Sequence, residues 1–522
     1  MKFTTKAIIH VVQPKEISMK LVTLAVVLIG NLVMAEDKVI YDAVIVGGGS
    51  AGMTAAYELK DKNILVLEQW PEVGGRSWDG EYQGFSYAKG AEYMGEPWGV
   101  AAEIIKKYRL RPVDITYPSY CYYNPNVPGH EDVTIWNGTK GMAYMHVAED
   151  GNDKKALKTY NKFMKLTTEL VNETYDAGEY PYSFDLEHPV AKYDYVAMSE
   201  WFENNGFGHT YQDKWNAHAR GLYGANIHEV SILMAISELG WEYYEEKPIQ
   251  MPDISWNDYV TGFPDEGVKT FMGGLSVIPK AIAKDSDLKN KIRTNSEVIK
   301  VRAVTGNSKA KYSVVYKDKL TKKVSVVKAK KVIMATPANV TCHLMGKALP
   351  EAIRNIVCDV KYCEYLTVNL FSDEPIQDFT FELATPSDFF AIAFYDSLWV
   401  QKNQNPDNPL NDKVFITTAY IAGRTCGESL MSLSDEEIIA KTYEDMSRIW
   451  TCSTLKVKKF EINRFANGYP LFDPGAYHKI TKLNQLNMKQ KDFRLVGDYL
   501  ALPTMEAAME QASFATKNFK VD

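Results

Sequence analysis

The chain carries no excess of basic residues. Its 59 Lys and Arg against 66 Asp and Glu give a formal net charge of −7, and no basic stripe stands out. Nucleic acid is therefore not an expected partner. Internal repeats and low-complexity tracts are also missing, which excludes a solenoid or a disordered chain. With 522 residues, 46% of them apolar, the sequence predicts a globular protein of two interlocked domains.

Cysteine is scarce, and none of the six cysteines shows the spacing of metal ligands, so we expect no metal site. Their pairing cannot be read from the sequence, and a chain of this size does not need disulfides. Buried free thiols are the preferred interpretation. The six are Cys121, Cys342, Cys358, Cys363, Cys426 and Cys452.

The sequence also lacks the catalytic residue arrangements that are typical of hydrolases. We find neither a Ser/His/Asp arrangement nor a convincing pair of catalytic carboxylates. His209, His218 and His228 are near one another, but their spacings of nine and ten do not share one helix face. We therefore assign them no metal-binding or proton-transfer role.

A long apolar run occurs at residues 21–34, after Lys20. The run is short for a membrane span and is followed by Ala35 and Glu36, a pattern typical of a secretory signal cleaved near Ala35. We expect an exported protein, periplasmic or secreted, without an integral membrane span. An uncleaved anchor is the alternative, and Met1 and Met19 both stay open as the true start.

The most informative segment covers residues 41–52, Tyr-Asp-Ala-Val-Ile-Val-Gly-Gly-Gly-Ser-Ala-Gly. Its β-branched run predicts a buried parallel strand, and its glycines fit G-x-G-x-x-G at the start of a helix. A second predicted strand, residues 63–67, ends at Glu68, where a carboxylate accepts ribose hydroxyls. An ordinary glycine-rich turn is the alternative. The unit predicts a dinucleotide site formed by Gly47, Gly49, Ser50, Ala51, Gly52 and Glu68.

Two following segments extend this unit: residues 69–76, Gln-Trp-Pro-Glu-Val-Gly-Gly-Arg, and residues 90–94, Gly-Ala-Glu-Tyr-Met. They resemble the amine oxidase superfamily of flavoproteins, which includes monoamine and polyamine oxidases, L-amino acid oxidases, protoporphyrinogen oxidase and carotenoid desaturases. The resemblance implies FAD as the cofactor, with Gly75 and Arg76 against its pyrophosphate and ribityl chain. It also places in the cofactor site Ala91, Glu92 and Tyr93.

Further family motifs recur downstream, so the resemblance covers most of the chain. A Gly-Gly segment before a helix, an adenine-side strand, a strand ending near the cofactor and a C-terminal flavin motif match residues 271–279, 292–301, 331–337 and 493–510. Thr504 is expected to cap a helix whose first N–H groups face the flavin. The other implied cofactor contacts are Val298, Gly497, Asp498 and Met505.

The implied fold class is α/β, a glutathione-reductase-like Rossmann FAD-binding domain with an inserted α+β substrate domain. Residues 154–173 and 195–204 read as helices, and residues 365–371, 389–394 and 414–420 as sheet strands. The expected boundaries are a leader at 1–35, FAD-domain parts at 37–115, 265–345 and 466–522, a helical substrate cap at 116–264 and the substrate-domain sheet at 346–465.

Two positions depart from the amine oxidases. Many of these enzymes place a lysine, linked through water to flavin N5, where this chain has Thr367, which cannot act as a basic amine. Monoamine oxidases attach FAD through a cysteine where this chain has Asn467, so we expect non-covalent FAD.

The candidate catalytic residues are Thr367 and Tyr469, and the candidate substrate-pocket residues are Tyr223 and Phe472. Core packing is an equal alternative for the three aromatic residues. Arg220 is a candidate partner for a substrate carboxylate, although a helix-surface or ion-pair role is preferred.

We therefore expect hydride transfer from an amine, a small-molecule substrate, to flavin N5, with O2 as the acceptor. The alternative is a desaturase or isomerase acting on C–C bonds of a lipid, polyene or porphyrinogen, which Thr367 favours. A third interpretation is a flavin-bearing binding protein without catalysis. Substrate identity and oligomeric state are not readable from the sequence.

Overall fold

The computed structural model describes residues 35–115, 120–123, 134–135, 153–176, 178–179, 183–184, 187–234, 268–306, 308–377, 380–450 and 453–521. The apolar run at residues 21–34 lies outside them, so export stays a prediction. Among the described residues, no helix has the length and apolarity that a membrane span requires.

The secondary structure alternates strands and helices along the described chain. The α-helices are α1 (Ser50–Glu58), α2 (Gly99–Lys107), α3 (Asp153–Asp176), α4 (Met198–Asn204), α5 (His209–Tyr223), α6 (Val277–Ala283), α7 (Ala338–Met345), α8 (Glu351–Val357), α9 (Trp399–Gln404), α10 (Asp435–Ile449), α11 (Ala476–Met488) and α12 (Met505–Lys517). Short 3-10 helices cover Gly75–Ser77, Pro189–Tyr195, Gly346–Ala348, Ser453–Lys456 and Asp498–Leu500.

The strands are β1 (Ala35–Val46), β2 (Ile64–Leu67), β3 (Asp79–Tyr82), β4 (Phe85–Ala88), β5 (Val113–Asp114), β6 (Tyr120–Tyr122), β7 (Thr134–Ile135), β8 (Gly178–Glu179), β9 (Ser183–Phe184), β10 (Lys269–Thr270), β11 (Ile292–Arg293), β12 (Ser296–Ala303), β13 (Tyr312–Asp318), β14 (Val324–Met334), β15 (Tyr362–Ser372), β16 (Glu382–Ala384), β17 (Ala393–Asp396), β18 (Phe415–Ala422), β19 (Val457–Pro470) and β20 (Phe493–Leu495).

The first sheet forms around the predicted glycine-rich unit. Its strand order is β11-β2-β1-β14-β13-β12, and β20 also pairs with β14. β1 runs parallel to both β2 and β14, and β20 runs parallel to β14. Val44 and Ile45 are fully buried, as β-branched residues of a central parallel strand should be. The sheet therefore joins three distant stretches of the chain, 35–67, 292–334 and 493–495.

Helices cover both faces of this sheet because its strand residues alternate between two cores. Ile45 and Ile333 point to the core shared with α1, α6 and α12. Val44 and Val332 point to the core shared with α7, α8 and α11. α1 contacts α12 and α6, and Ala55 on α1 is fully buried, so small side chains allow the close packing.

The second sheet has the order β19-β15-β18-β17-β16-β6-β7. The strands predicted at residues 365–371 and 414–420 are confirmed as β15 and β18. The prediction of a strand at residues 389–394 is wrong for its first four residues, since β17 begins at Ala393. The carbonyl groups of Phe389 and Phe390 accept hydrogen bonds from the buried Arg220 instead of joining a ladder.

The predicted helix at residues 154–173 is confirmed as α3. The prediction for residues 195–204 is correct from Met198 onward, and Tyr195 ends the preceding 3-10 helix. Aromatic side chains of α3, α4 and α5 pack together, with the rings of Phe163 and Trp215 5.7 Å apart. Most of the remaining predicted cap lies outside the described residues.

Four cysteines form disulfides, so the preference for buried free thiols is wrong for them. Cys342 pairs with Cys358, and Cys363 pairs with Cys426. The fold brings each pair of Cα atoms to 5.2 and 4.5 Å, within disulfide range. These distances depend on tertiary packing, which residue spacing does not reveal.

Candidate cofactor and substrate site

The glycine-rich turn contains two kinds of glycine. A Cβ on Gly47 would lie 2.6 Å from the Ala335 carbonyl oxygen, and one on Gly52 would lie 2.0 Å from the Gly47 oxygen. The chain itself fills the space beside these two. A Cβ on Gly49 would meet only the Gly75 Cα, at 3.9 Å. The open space beside the middle glycine is therefore a cradle between two stretches of bare backbone.

Helix α1 begins at this cradle. Gly49 is its N-cap residue, and no side chain caps the helix. Ser50 and Ala51 form its first turn, so they present backbone N–H groups and the positive end of the helix dipole. An anionic pyrophosphate fits such a site.

Glu68 follows β2, where the strand ends beside β1. Its carboxylate is 4% exposed and accepts hydrogen bonds from Gly48 N at 2.6 Å and Trp70 N at 2.8 Å. Burial nevertheless raises the pKa of Glu68. A buried carboxylate beside the cradle suits ribose hydroxyl donors, so the donor and acceptor groups present fit a dinucleotide.

Arg76 links the two ends of the chain at this site. Its guanidinium Nη1 donates to Asp498 Oδ2 at 2.7 Å and to the Gly468 carbonyl oxygen at 2.8 Å. Burial lowers the pKa of Arg76, but the charge and hydrogen bond of the neighbouring Asp498 outweigh it and raise the pKa above its ordinary value, which keeps the guanidinium charged. The Asp498 side chain is 7% exposed and that of Arg76 is 39% exposed, so the cation faces the open side.

The segment 90–94 lies directly against Arg76. Ala91 N donates to the Arg76 carbonyl oxygen at 2.9 Å, and a Cβ on Gly90 would lie 2.0 Å from that oxygen. The next residue, Glu92, is half-buried and contacts the hydroxyl of Tyr420 through Oε2 at 2.7 Å. The predicted residues Ala91, Glu92 and Tyr93 are therefore one short stretch beside the guanidinium-bearing segment.

Burial, with a smaller contribution from nearby acidic groups, raises the pKa of Glu92 to about 8, although the hydrogen bond with Tyr420 acts in the opposite direction. The Tyr420 hydroxyl also lies 2.6 Å from the Gly90 carbonyl oxygen. One phenolic proton cannot serve both oxygens. A protonated Glu92 that donates to Tyr420 completes the chain of hydrogen bonds, because Tyr420 then donates to Gly90.

Tyr420, which contacts this carboxyl group, belongs to a set of five tyrosines joined by ring contacts, and we name them the tyrosine cluster. The Tyr395 and Tyr420 ring centroids are 4.8 Å apart, and those of Tyr365 and Tyr469 are 5.3 Å apart. Burial raises the pKa of Tyr469 to about 12, so the phenol stays neutral. Aromatic faces of this kind attract cations and flat apolar groups. The cluster consists of Tyr93, Tyr365, Tyr395, Tyr420 and Tyr469.

Thr367 lies on β15 and is fully buried. Its hydroxyl donates to the Lys89 carbonyl oxygen at 2.8 Å and accepts from Asn463 Nδ2 at 3.1 Å. The side chain therefore holds the backbone just before residues 90–94. Its predicted catalytic role stays a prediction, and the observed contacts describe a positioning residue.

The C-terminal segment contributes both a loop and a helix. Gly497 N donates to Gln511 Oε1 at 3.0 Å, which fixes the loop that carries Asp498. Thr504 caps α12, as predicted, because its hydroxyl accepts from Ala507 N at 3.1 Å. Met505 is the first helical residue. The flavin contacts of these residues stay predictions.

The segment expected on the adenine side is divided. β11 and β12 are separate strands, and Asn295 between them has a φ of 52°. Val298 lies on β12 at a register irregularity opposite β13. Its predicted adenine contact is therefore placed at the outer edge of the first sheet.

The other predicted pocket residues, Tyr223 and Phe472, are buried in the core that includes the helical region. The chain beside Tyr223 contacts the tyrosine cluster, since the Tyr365 hydroxyl lies 3.5 Å from the Gly221 carbonyl oxygen. The role of both residues in a substrate pocket stays a prediction.

Arg220 is 1% exposed and donates to the carbonyl groups of Ala422 and Ser387, both at 2.8 Å. It fastens α5 to the second sheet, so an ion-pair or surface role is wrong and the arginine is structural.

Several residues near the site were not predicted from the sequence. Tyr420 lies on a predicted strand, but nothing in its spacing marks it as the partner of Glu92. Asp79 is three residues past Arg76, and burial raises its pKa to about 7 while Oδ2 accepts from Ser276 N. Its position, a short distance after the Gly-Gly-Arg stretch, was the signal in the sequence that could have identified Asp79.

The mixed sheet with its parallel central strands, the open glycine cradle, the buried acidic strand end and the Arg76–Asp498 pair describe an α/β protein whose residues fit a dinucleotide. A family model described as flavin containing amine oxidoreductase matches residues 50–516, so the chain belongs to that family. The family implies a flavin cofactor, and the cradle fits one.

Curated relatives match only part of the chain. A Dictyostelium discoideum protein named probable flavin-containing monoamine oxidase A is 26% identical over 201 residues, 37% of this chain and 39% of its own length. A Danio rerio protein named inactive all-trans-retinol 13,14-reductase is 27% identical over 176 residues, 30% of this chain and 29% of its own length. The matches thus span less than half of these relatives.

Solved structures match over nearly the whole chain. An engineered putrescine oxidase superposes with a TM-score of 0.65 at 15% identity, covering 91% of this chain and 98% of that one. Cyclohexylamine oxidase from Brevibacterium oxydans gives 0.63 at 16% identity, covering 92% and 99%. A fatty acid isomerase from P. acnes gives 0.63 at 13% identity, covering 92% and 98%. At these identities the likeness establishes the mixed α/β fold.

Proposed function

We propose that this protein is an FAD-dependent oxidase that takes a hydride from the carbon next to an amine nitrogen. The observation that carries the proposal is the tyrosine cluster, which contacts Glu92 through Tyr420 and adjoins the segments around Arg76 at two points. Tyr420 contacts Gly90, and Tyr469 follows Gly468, whose carbonyl oxygen binds Arg76. The sheet order supports the glutathione-reductase-like arrangement of the cofactor domain.

The chain's own groups would bind and orient the substrate. Aromatic faces attract an ammonium group, and an ionised Glu92 would attract it further. A neutral Glu92 can instead hold its proton at Oε2 against Tyr420. The residues that would hold FAD are Gly49 and Ser50 at the pyrophosphate, Glu68 at the ribose, and Arg76 on the cradle's open side. When bound, FAD would supply the hydride acceptor, and O2 would reoxidise the reduced flavin.

Substrate oxidation can be tested on purified, FAD-loaded protein. We expect peroxide release with one or more members of a panel of mono-, di- and polyamines and L-amino acids. The matched control is Gly49→Asp, which should lose FAD and peroxide release together. Amines that bleach the flavin under anaerobic conditions would support the proposal. If no compound of the panel causes bleaching or peroxide release, the proposal is contradicted.

A second function, oxidation or isomerisation of a carbon skeleton, is favoured by one observation. Thr367 occupies the position of the family lysine, and its hydroxyl is already bonded to Lys89 and Asn463. Bleaching by a fatty acid or polyene, with no response to amines, would establish this alternative.

We infer that FAD is held non-covalently. Asn467 stands where monoamine oxidases carry the attachment cysteine, and its Oδ1 accepts from Asn339 Nδ2 at 2.6 Å. Acid precipitation should release all yellow colour into the supernatant. Colour that stays with the pellet would contradict this inference.

We also infer export. The crosslinks Cys342–Cys358 and Cys363–Cys426 suit an oxidising compartment, which supports the signal predicted at residues 21–34. Mass spectrometry of the mature protein after alkylation without reductant tests both points. Protection of these four cysteines and a new N-terminus near Ala35 are expected. An intact leader would contradict cleavage, and alkylation of all four cysteines would contradict export to an oxidising compartment.

A further inference from the structure

Two tryptophans bracket the loop that carries Gly74, Gly75 and Arg76. Trp70 precedes the loop and is 44% exposed, and Trp78 follows it. Their ring centroids lie 5.9 Å apart at an interplanar angle of 32°. The contact closes the base of residues 71–77, because the two ends of the loop meet through these rings.

A cation stands against each ring. Lys319 Nζ lies 4.1 Å from the Trp70 ring centroid, and Lys89 Nζ lies 5.5 Å from that of Trp78. Lys89 is held in place by Glu461, 2.6 Å away. The stack therefore runs in the order Lys319, Trp70, Trp78 and Lys89, and we name it the tryptophan clasp.

Backbone bonds fix both ends of the clasp. Trp70 donates to Glu68 Oε1 at 2.8 Å, and its carbonyl oxygen accepts from Asn295 N at 2.9 Å. Trp78 accepts from Lys89 N at 2.9 Å. One tryptophan is thus tied to the expected ribose ligand, and the other to the strand before the Glu92 segment.

The loop between them lies across the glycine cradle. Gly74 N donates to the Gly48 carbonyl oxygen at 3.0 Å, and Gly75 faces Gly49. A pyrophosphate beside Gly49 would therefore lie next to this loop, and release of the cofactor requires the loop to move. Val73 and the Arg76–Asp498 pair anchor the middle and the end of the loop, whereas Pro71 and Glu72 at its start are exposed. The clasp therefore adds resistance at the base of the loop.

We propose that the tryptophan clasp retains FAD by holding the loop at residues 71–77 closed over the cradle. This inference rests on the proposed binding of FAD. Trp70 and Trp78 are positioning residues, and the clasp is expected to affect the rate of FAD dissociation more than the stability of the fold. Substitution at the clasp should be tolerated, because Trp70 is already 44% exposed.

The experiment measures FAD exchange. Protein loaded with radiolabelled FAD is chased with excess unlabelled FAD, and the dissociation rate is compared for wild type, Trp70→Ala, Trp70→Phe, Trp78→Ala and Lys319→Gln. The matched control is Trp98→Ala, since Trp98 is 52% exposed in the same domain and outside the clasp. The thermal midpoint of each apo-protein reports any general damage.

Both alanine variants should release FAD about tenfold faster, since ring pairs and cation–π contacts each slow loop opening by several-fold. Lys319→Gln should give a smaller acceleration, Trp70→Phe should restore most of the retention, and Trp98→Ala should match wild type. Dissociation rates that are the same in wild type and all variants overturn the clasp alone. A wild-type protein that takes up no FAD overturns both the clasp and the proposed function.

Discussion

The guanidinium of Arg76 lies 2.7 Å from the carboxylate of Asp498, although 422 positions separate the two residues in the chain. This ion pair joins the loop after β2 to the loop after β20. The Arg76 cation faces the open side of the cradle, whereas Asp498 is buried behind it. We therefore expect the pair to couple closure of the domain to cofactor binding.

Arg76→Met should weaken FAD binding and lower the free energy of unfolding by about 1–2 kcal/mol, because Asp498 is left buried without its cation. The estimate is modest because the Arg76 side chain is 39% exposed. Asp498→Asn should lower the free energy of unfolding by less than Arg76→Met does. A double-mutant cycle measured by thermal unfolding and FAD titration checks the coupling, and additive losses would contradict it.

Gly49→Ala and Gly52→Ala should separate cofactor binding from folding. A Cβ on Gly49 meets open space, so this variant should fold normally and bind FAD more weakly. A Cβ on Gly52 would lie 2.0 Å from the Gly47 oxygen, which predicts a loss of about 3 kcal/mol or more of unfolding free energy. Circular dichroism and FAD titration measure the two effects. Equal FAD affinity in Gly49→Ala and wild type would contradict the cradle assignment.

Stability should fall as pH rises because the folded pKa of Glu92 is raised to about 8. Between its ordinary pKa and the raised value, the folded protein holds a proton that the unfolded chain has released. The slope is at most about 1.4 kcal/mol per pH unit for one such proton. Glu92→Gln should flatten the fall in thermal midpoint from about pH 5 to about pH 8.

Part of the fall in stability with rising pH should remain in Glu92→Gln, because burial also raises the folded pKa of Asp79, to about 7. The matched control is Glu203→Gln, at an exposed position on α4, which should leave the pH profile unchanged. An unchanged profile in Glu92→Gln would show that Glu92 is ionised across this range.

Thr367→Val removes a buried hydroxyl that bonds Lys89 and Asn463. We expect a loss of about 1–3 kcal/mol in unfolding free energy, because the Lys89 carbonyl oxygen loses this donor and Asn463 keeps only its bond to Asn369. Thr367→Ser keeps the hydroxyl and should retain more of the stability. A normal thermal midpoint combined with slow anaerobic flavin bleaching would instead assign Thr367 a role in the reaction.

Much of the cofactor domain could be predicted because its signals are local. The run at Val44, the glycines after it and the acidic residue Glu68 are close in sequence, and their strand and turn geometry follows from steric rules. The cap at Thr504 was predictable for the same reason, since its hydroxyl bonds a backbone group three residues away.

The rest depends on contacts between distant elements. The cysteine pairs, the partner of Glu92 and the enclosure of Arg220 by carbonyl groups arise from packing, and no residue spacing encodes them. The same holds for Phe472, which neighbours Tyr469 in sequence but packs into a different core.

The order of the strands has a consequence for biosynthesis. β20 and α12 complete the first sheet and its covering helices, yet the ribosome synthesises them long after β1 and α1. We therefore expect the nucleotide pocket of a nascent chain to stay incomplete until these two elements have been made. Premature termination before β20 would yield no partly competent product, because Asp498 and the final helix would both be missing.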